Sequence, residues 1–331
     1  AMRPHLTSRF ISKFHYETGY TFFESKVCAW LDSMLPRISV PDVVWVDGGE
    51  YMGVRALRRI RELGAPVVLY NLDDPTGSRD RRRFTLTRRA MPHYDLCVSV
   101  RKETVSEMAA LGAPNVLQVW RSYDEVEHAP FADPAQVPEQ FRSEVSFIGT
   151  WISGEKRDEF LVGLVDRDIP IAIWGNRWEK APFWSRLRPF WRGGGLAGRD
   201  YVAAIQGSKV SLGMLSKGNR DLHTQRSAEI PFAGGLFCAE RTSEHQALYV
   251  DGVEAVLWSD LEECATICRR LLDDDEERER IRSAGMRKVR TLGIGNEDIC
   301  RQILGELSGV APTSLHDQTQ QGSGSHLRDP R

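Results

Sequence analysis

Residues 218–235 read Gly-Asn-Arg-Asp-Leu-His-Thr-Gln-Arg-Ser-Ala-Glu-Ile-Pro-Phe-Ala-Gly-Gly, and the apolar run Leu236-Phe-Cys-Ala239 follows directly. This order predicts a polar loop, a helix that begins near Thr224, a tight glycine turn and a short buried strand. Asp221 or Thr224 could cap the helix, and a helix N-terminus is a favourable site for an anion. An ordinary capped helix with a solvated charged face is the alternative interpretation.

Short apolar strands alternate with helices on both sides of this stretch. Strands are predicted at 42–47, 66–71, 96–100 and 115–119, and again at 144–149, 169–175, 209–213, 236–239 and 255–258. Strands of this length between helices predict βαβ units and mostly parallel sheets. We therefore expect an α/β chain with a Rossmann-like domain at 1–125, a linker at 126–143, a second Rossmann-like domain at 144–308 and a disordered tail at 309–331.

The composition is that of a globular protein with two domains. The chain has 331 residues, 41% of them hydrophobic and 27% charged, and one domain takes roughly 100–200 residues. The net charge of −2 gives no overall field toward nucleic acid, and no apolar run approaches the roughly 18–20 residues that cross a bilayer. The six cysteines form no CxxC pair, so we expect no metal site and a reducing, cytoplasmic setting.

Several catalytic motifs are missing from the sequence. It has no GxGxxG after a strand and no GxxxxGK[ST], which argues against a dinucleotide oxidoreductase and a P-loop phosphotransferase. Acidic and amide residues do follow predicted strands in the first half, where ligands of parallel sheets bind, and the second half has the polar cluster described above. This layout favours a ligand held between two domains. The strand-end residues are Asp47, Asn71, Asp73 and Asp74.

Motifs in both halves resemble one family, the CgeB-like glycosyltransferases. The segments that carry the resemblance are Pro41-Asp-Val-Val-Trp-Val-Asp47, Asn71-Leu-Asp-Asp-Pro75, Phe147-Ile-Gly-Thr-Trp151, Ser208-Lys-Val-Ser-Leu-Gly213, His223-Thr-Gln-Arg-Ser-Ala-Glu-Ile-Pro231 and Asp251-Gly-Val-Glu-Ala255. The resemblance implies a GT-B fold, in which two Rossmann-like domains face each other across a cleft. The second domain would hold a nucleotide-sugar donor and the first an acceptor. The family's opening βαβ unit is not found, so we expect an incomplete first domain.

The resemblance also implies a donor site. Related enzymes carry two acids spaced E-x7-E, which correspond here to Asp221 and Glu229, with Glu229 on the ribose hydroxyls. Basic residues would hold the departing diphosphate without a metal ion. A solvated first helical turn is the alternative for Lys156 and Arg157. The full set of expected donor-binding residues is Gly149, Thr150, Lys156, Arg157, Gly175, Arg220, Asp221, Thr224, Arg226 and Glu229.

Three residues are candidates for the catalytic chemistry. Asp73 is the first choice for the base that activates an acceptor hydroxyl, and Asp74 is the second. An Asp-Asp-Pro turn is the structural alternative for both, and a backbone-bonded histidine is the alternative for His223. We expect a glycosyltransferase that uses a nucleotide-sugar donor and an unknown acceptor, with no metal, nucleic acid or transmembrane segment. A silent binding module and a nucleotide-sugar epimerase are the alternatives.

Overall fold

Two parallel sheets organise the chain, and the computed structural model describes residues 9–309. The first sheet has four strands whose order across the sheet follows the chain: β1 (Val44–Asp47), β2 (Val67–Asn71), β3 (Leu96–Ser99) and β4 (Val116–Gln118). The second sheet is formed by β5 (Ser143–Ile148), β6 (Ile171–Trp174), β7 (Trp191–Gly193), β8 (Ser208–Gly213), β9 (Phe237–Glu240) and β10 (Val256–Trp258). Its order is β10-β9-β8-β5-β6-β7, and all neighbouring strands are parallel. The expected two-domain α/β architecture is therefore confirmed.

Helices cover both sheets. The first half of the chain contributes α1 (Arg9–Glu17), α2 (Glu24–Met34), α3 (Val54–Arg61), α4 (Thr85–Ala90) and α5 (Lys102–Ala110). The second half contributes α6 (Arg157–Val165), α7 (Trp184–Leu187), α8 (Gly198–Gln206), α9 (Arg226–Phe232), α10 (Ser243–Leu248), α11 (Leu261–Asp273), α12 (Asp275–Thr291) and α13 (Asn296–Leu307). None of the helices within residues 9–309 has the length and apolar content needed to span a bilayer.

The strands are continuously apolar because helices shield both of their faces. In the second domain, α6 and α11 pack on one face of the sheet, and α8 and α9 pack on the other. In the first domain, α2, α3 and α4 share one core with the sheet. All four residues of β3 and of β6 are buried. Each sheet is therefore the middle layer of its domain, and its strand ends are free to form a site.

The last helix returns to the first domain. Ile299 and Ile303 of α13 pack against Val68, Leu96 and Val98 of the first sheet. The expected boundaries assigned this helix to the second domain at 144–308, because its apolar spacing alone does not reveal the face that it covers. By this packing, α13 holds the two domains together at the end of the described chain.

Some local expectations differ from the structure. The stretch 176–195, expected as one loop, contains α7 and the edge strand β7, which pairs with β6. β7 has three residues and ends in Gly193, which leaves too few side chains for an alternating pattern to show. The helix expected near Thr224 begins at Arg226. The expected disordered tail lies, apart from Gly309, outside the described residues.

Candidate functional site

A cavity of about 280 Å³ separates the two domains at the carboxyl ends of their strands. Parallel sheets place ligands at this end, and here both sheets contribute to one space. The first domain supplies three of the side chains and the second supplies the rest. The lining residues are Asp73, Arg79, Arg121, Phe147, Ile148, Gly149, Thr150, Ile152, Arg157, Met214, Ser216, Asn219, Asp221, Thr224, Gln225 and Arg226.

Arginine dominates the charge of this cavity. Four of its lining residues are arginines and two are aspartates, so the cations exceed the acids by two. Low-dielectric walls strengthen the field of such groups and favour an anionic ligand. The cavity therefore suits a diphosphate.

Arg157 is the buried cation of the second domain. It is 7% exposed, and its guanidinium donates to two backbone carbonyls, from Nη1 to Thr150 at 2.9 Å and from Nη2 to Leu215 at 3.0 Å. Its Nε has no hydrogen-bond partner and the side chain has no ion pair among residues 9–309. Burial lowers the pKa of Arg157, although a guanidinium stays charged at any physiological pH. The chain thus holds a positive charge on the cavity wall, and no carboxylate among residues 9–309 contacts it directly.

The neighbouring Lys156 faces away from the cavity. Its side chain is 76% exposed and lies 3.9 Å from Glu159, one turn along α6. The two adjacent basic residues expected at the diphosphate therefore separate in the structure. Only Arg157 reaches the cavity, and Lys156 fits the solvated first turn that was its alternative.

Arg226 lies on the cavity wall and Glu229 lies behind it. The Glu229 carboxylate accepts from the Tyr201 hydroxyl at 2.6 Å and from Nη1 of Arg226 at 3.1 Å. Burial raises the pKa of Tyr201 well above its usual range, so the phenol keeps its proton and remains a donor. Glu229 is 5% exposed and is absent from the cavity lining. In this structure Glu229 orients Arg226, and its contact with a ribose stays a prediction.

Asp221 is held by arginines of the first domain. Its Oδ1 accepts a hydrogen bond from Nη2 of Arg101 and lies 3.4 Å from Nη2 of Arg121. Arg101 also donates to the carbonyls of Leu72 and Asp73, at 3.0 and 2.8 Å. Asp221 therefore lines the cavity as expected, but its charge is engaged across the domain interface.

Arg220 points out of the cavity toward the first domain. Its Nε and Nη2 donate to the two carboxylate oxygens of Asp74 at 2.7 and 2.8 Å, and Nη1 donates to Glu107 at 2.8 Å. Asp74 is 2% exposed and also accepts from the amide of Gly77 at 3.0 Å. Burial would raise the pKa of the Asp74 carboxyl, but the hydrogen bonds and charge of Arg220 outweigh burial and lower it. This pairing argues against two expectations, because it lowers the pKa of the Asp74 carboxyl and keeps Arg220 out of the cavity lining.

Asp73, the first choice for the catalytic base, does face the cavity. Its side chain is 37% exposed, and Oδ2 lies 3.0 Å from Nη1 of Arg83. Arg101 holds its backbone carbonyl, as described above. Asp73 thus combines a fixed backbone with a carboxylate that is open to a ligand.

His223 is engaged at both ring nitrogens. Nε2 accepts from the amide of Arg121 at 3.1 Å, so Nδ1 carries the proton and contacts Glu244 at 2.5 Å. Burial lowers the pKa of His223 and keeps the ring neutral, against the opposing effect of Glu244. These contacts favour the backbone-bonded alternative, and a catalytic role of His223 stays a prediction.

The start of α10 holds the loop that leads into α9. Thr242 donates to the carbonyl of Leu222 at 2.5 Å, Glu244 contacts His223, and His245 contacts the Ser227 hydroxyl at 2.8 Å. The polar residues of the loop before α9 and of the start of α10 therefore bind one another. They fix Thr224 and the residues around it on the cavity wall.

Two glycines shape the second-domain side of the site. Gly149 and the adjacent Thr150 line the cavity at the end of β5, and their contact with a donor stays a prediction. Gly175 does not line it; its φ is +147°, and a Cβ there would lie 2.0 Å from the Gly149 carbonyl. Gly175 therefore acts indirectly, by letting the chain after β6 approach the chain after β5.

Sequence reasoning missed the arginines of the first domain. Arg101 and Arg121 follow β3 and β4 by two and three residues, and Arg79 follows the Asp73 loop. The strand-end argument that selected the acids applies equally to these positions. Applied to basic as well as acidic residues, the strand-end argument would have selected these arginines.

The structure also brings three cysteines together away from the cavity. The sulfurs of Cys238, Cys264 and Cys268 lie within 4.8 Å of one another, and all three residues are fully buried in the apolar core beneath α11. Spacing along the chain does not reveal this cluster, because Cys238 lies in a strand distant in sequence from Cys264 and Cys268.

Comparisons with known proteins agree with this architecture. Residues 156–304, just under half of the chain, match the family model described as glycosyl transferase-like. The structure of Anabaena HepE in complex with UDP-glucose superposes with a TM-score of 0.64 at 13% identity, covering 84% of this chain and 82% of that one. Sucrose-phosphate synthase from Thermosynechococcus elongatus gives a TM-score of 0.61 at 12% identity, covering 91% and 79%.

A third structure and the curated sequences complete the comparison. Trehalose 6-phosphate synthase from Burkholderia multivorans gives a TM-score of 0.60 at 12% identity, covering 88% of this chain and 76% of that one. No curated protein sequence matches the chain. The chain therefore has a GT-B fold, and the match across its second domain supports a glycosyltransferase family.

Proposed function

We propose that the chain is a glycosyltransferase that moves a sugar from a nucleoside-diphosphate sugar to an acceptor hydroxyl. One observation carries the proposal: a cavity between two Rossmann-like domains, lined by four arginines and two aspartates, that includes the buried cation of Arg157, which has no ion pair among residues 9–309. The second domain would bind the donor and the first domain the acceptor. The glycosyl transferase-like match over residues 156–304 and the UDP-glucose complex of HepE support the choice of donor class. The CgeB-like assignment is part of this proposal.

The charges of the cavity match the chemistry of donor cleavage. A nucleotide sugar carries two negative charges on its diphosphate, and more charge develops on the leaving oxygen as the glycosidic bond breaks. Arg157 and Arg226 are fixed in place before the donor arrives, so they stabilise that charge without reorganising. A guanidinium binds phosphate oxygens through two parallel hydrogen bonds. We propose that these groups serve in place of a metal ion.

Asp73 is proposed as the group that receives the acceptor proton. It lies on the first-domain side of the cavity, where an acceptor hydroxyl would approach the sugar. Its ion pair with Arg83 orients the carboxylate. Of the three side chains first considered, Asp73 is the one that lines the cavity, whereas Asp74 and His223 are engaged by other residues outside it.

A binding module without catalytic activity is the second candidate. It is favoured because two of the three candidate catalytic side chains, Asp74 and His223, are engaged by other residues. Product analysis separates the candidates. The protein is incubated with UDP-, GDP- and ADP-sugars, with and without a mixture of simple sugar acceptors, and release of nucleoside diphosphate is measured. Release that depends on acceptor supports transfer, binding without release supports the module, and an altered sugar still attached to its nucleotide supports an epimerase.

A further inference from the structure

Helix α1 exposes apolar side chains at the surface of the first domain. Phe10, Ile11 and Phe14 are 86%, 46% and 52% exposed, and Phe22, in the turn after the helix, is 65% exposed. The rings of Phe14 and Phe22 stack with 5.7 Å between their centroids. Phe10 lies one helical turn from Phe14, so these residues form one patch. We call it the α1 patch; an exposed apolar patch marks an interaction surface.

The opposite side of α1 fixes this orientation. His15 is buried, with its ring 5.3 Å from that of Phe23 between centroids. The Tyr16 hydroxyl donates to Asp80 at 3.1 Å. The helix therefore cannot turn its phenylalanines inward without losing these contacts.

Basic residues border the α1 patch. Gly19 follows α1 and packs on the Arg82 carbonyl so closely that a Cβ would lie 2.2 Å from it. This contact places Arg81 and Arg82 beside the helix, where both are exposed and neither forms an ion pair among residues 9–309. Lys13 is 73% exposed on α1 itself, paired loosely with Glu17 at 3.8 Å. The chain's net charge of −2 conceals this local concentration of positive charge.

We propose that the α1 patch binds the surface of a lipid bilayer that contains anionic phospholipid. Apolar side chains beside basic ones bind such a surface, because the aromatic rings enter the region of the acyl chains while the cations contact the lipid phosphates. Phe10, Phe14 and Phe22 supply the first element, and Arg81 and Arg82 supply the second.

Pairing with a second copy of the chain fits the same surface less well. A symmetric contact would bring each patch against its own equivalent, so the basic borders of the two copies would face each other. Like charges brought together at an apolar contact oppose association. At an anionic lipid surface, each of these cations instead strengthens binding.

The α1 patch lies close to the cavity between the domains. Asp80 bonds both Tyr16 of α1 and Arg79, which lines the cavity. A bilayer bound at the patch would therefore lie beside the first-domain side of the cavity. Lipid binding itself does not depend on the proposed glycosyl transfer.

Vesicle sedimentation of the full chain tests the proposal. The protein is mixed with vesicles of phosphatidylcholine alone or of phosphatidylcholine with phosphatidylglycerol. We expect binding to the anionic vesicles that weakens as salt is added. Phe10→Ser with Phe14→Ser should lower the association constant at least about tenfold, and Arg81→Ala with Arg82→Ala about tenfold on anionic vesicles alone. Val126→Ser is the matched control, because Val126 is 80% exposed elsewhere on the surface.

Three results would overturn the proposal. They are no sedimentation of the unaltered protein with anionic vesicles, equal binding by the phenylalanine variant, and self-association without lipid that this variant abolishes. Thermal unfolding checks that each variant is folded. If the phenylalanine variant does not fold, the arginine variant and the salt dependence decide the question.

Discussion

Arg220 and Asp74 join the two domains by a bidentate ion pair, and the next residue along the chain, Asp221, pairs in the opposite sense with Arg101. Two adjacent residues of the second domain thus bind two opposite charges of the first. The pairs flank the cavity, whose lining includes Asp221. We infer that this double contact fixes the position of the two domains beside the proposed donor.

Replacing Asp74 should weaken the folded state. Asp74→Asn removes the charge that opposes Arg220 and should cost about 2 kcal/mol, between the values for exposed and buried pairs, because Arg220 is 37% exposed. Urea unfolding at neutral pH measures this change. Asp166→Asn is the control, since its pair with Arg186 is exposed on both sides, and it should cost less than about 0.5 kcal/mol. Equal costs for the two variants would refute the role of the pair.

The ion pair of Asp74 with Arg220 should make the unfolding free energy depend on pH. The pKa of Asp74 is lowered in the folded protein, so its contribution is complete above the ordinary value of 3.8 and is lost as the pH falls through the lower folded value. The difference in unfolding free energy between the unaltered protein and Asp74→Asn should therefore shrink at acid pH. A difference that stays constant between neutral and acid pH would show that the carboxylate charge is not its source.

Asp73 should be needed for the reaction and dispensable for donor binding. Asp73→Asn should lower kcat by about 10²–10⁴-fold while the Kd for nucleoside diphosphate stays within a few-fold. Glu50→Gln is the matched control, because Glu50 shares the Arg83 partner at 3.5 Å and does not line the cavity. Loss of activity in both variants would indicate that the reaction depends on how Arg83 is held and not on Asp73 as a base.

His223 should matter for stability more than for chemistry. His223→Ala leaves the amide of Arg121 and the Glu244 carboxylate without their partner and should cost about 1–3 kcal/mol in unfolding free energy. At temperatures where the variant is folded, kcat should fall no more than about tenfold, well short of the loss typical of a general acid or base. A stable variant without activity would restore the histidine to the mechanism.

Chelation should leave the activity intact. The proposed donor site neutralises the diphosphate with guanidinium groups, among them Arg157 and Arg226. Dialysis against EDTA, followed by the assay in metal-free buffer, should preserve the rate of donor cleavage. Activity that is lost and then returns with Mg²⁺ or Mn²⁺ would overturn this part of the proposal.

The sequence predicted the architecture because strands covered on both faces are recognisable as apolar runs. It could not predict partners that lie far apart along the chain. Asp74 was selected for its place after a strand, yet its role depends on Arg220, 146 residues away. Lys156 and Arg157 looked alike in sequence, and only the direction of the first turn of α6 separates them. The packing of α13 on the first sheet depends in the same way on which face it covers.

The central claim is that Arg157 holds a nucleoside diphosphate in the cavity between the domains. Isothermal titration calorimetry with UDP, GDP and ADP tests it on the unaltered protein, Arg157→Met and Lys156→Ala, with thermal unfolding first showing that each is folded. At least one diphosphate should bind, Arg157→Met should weaken it about ten- to hundredfold, and Lys156→Ala should leave it unchanged. Equal binding by Arg157→Met and the unaltered protein, or binding of no nucleoside diphosphate, would contradict the claim.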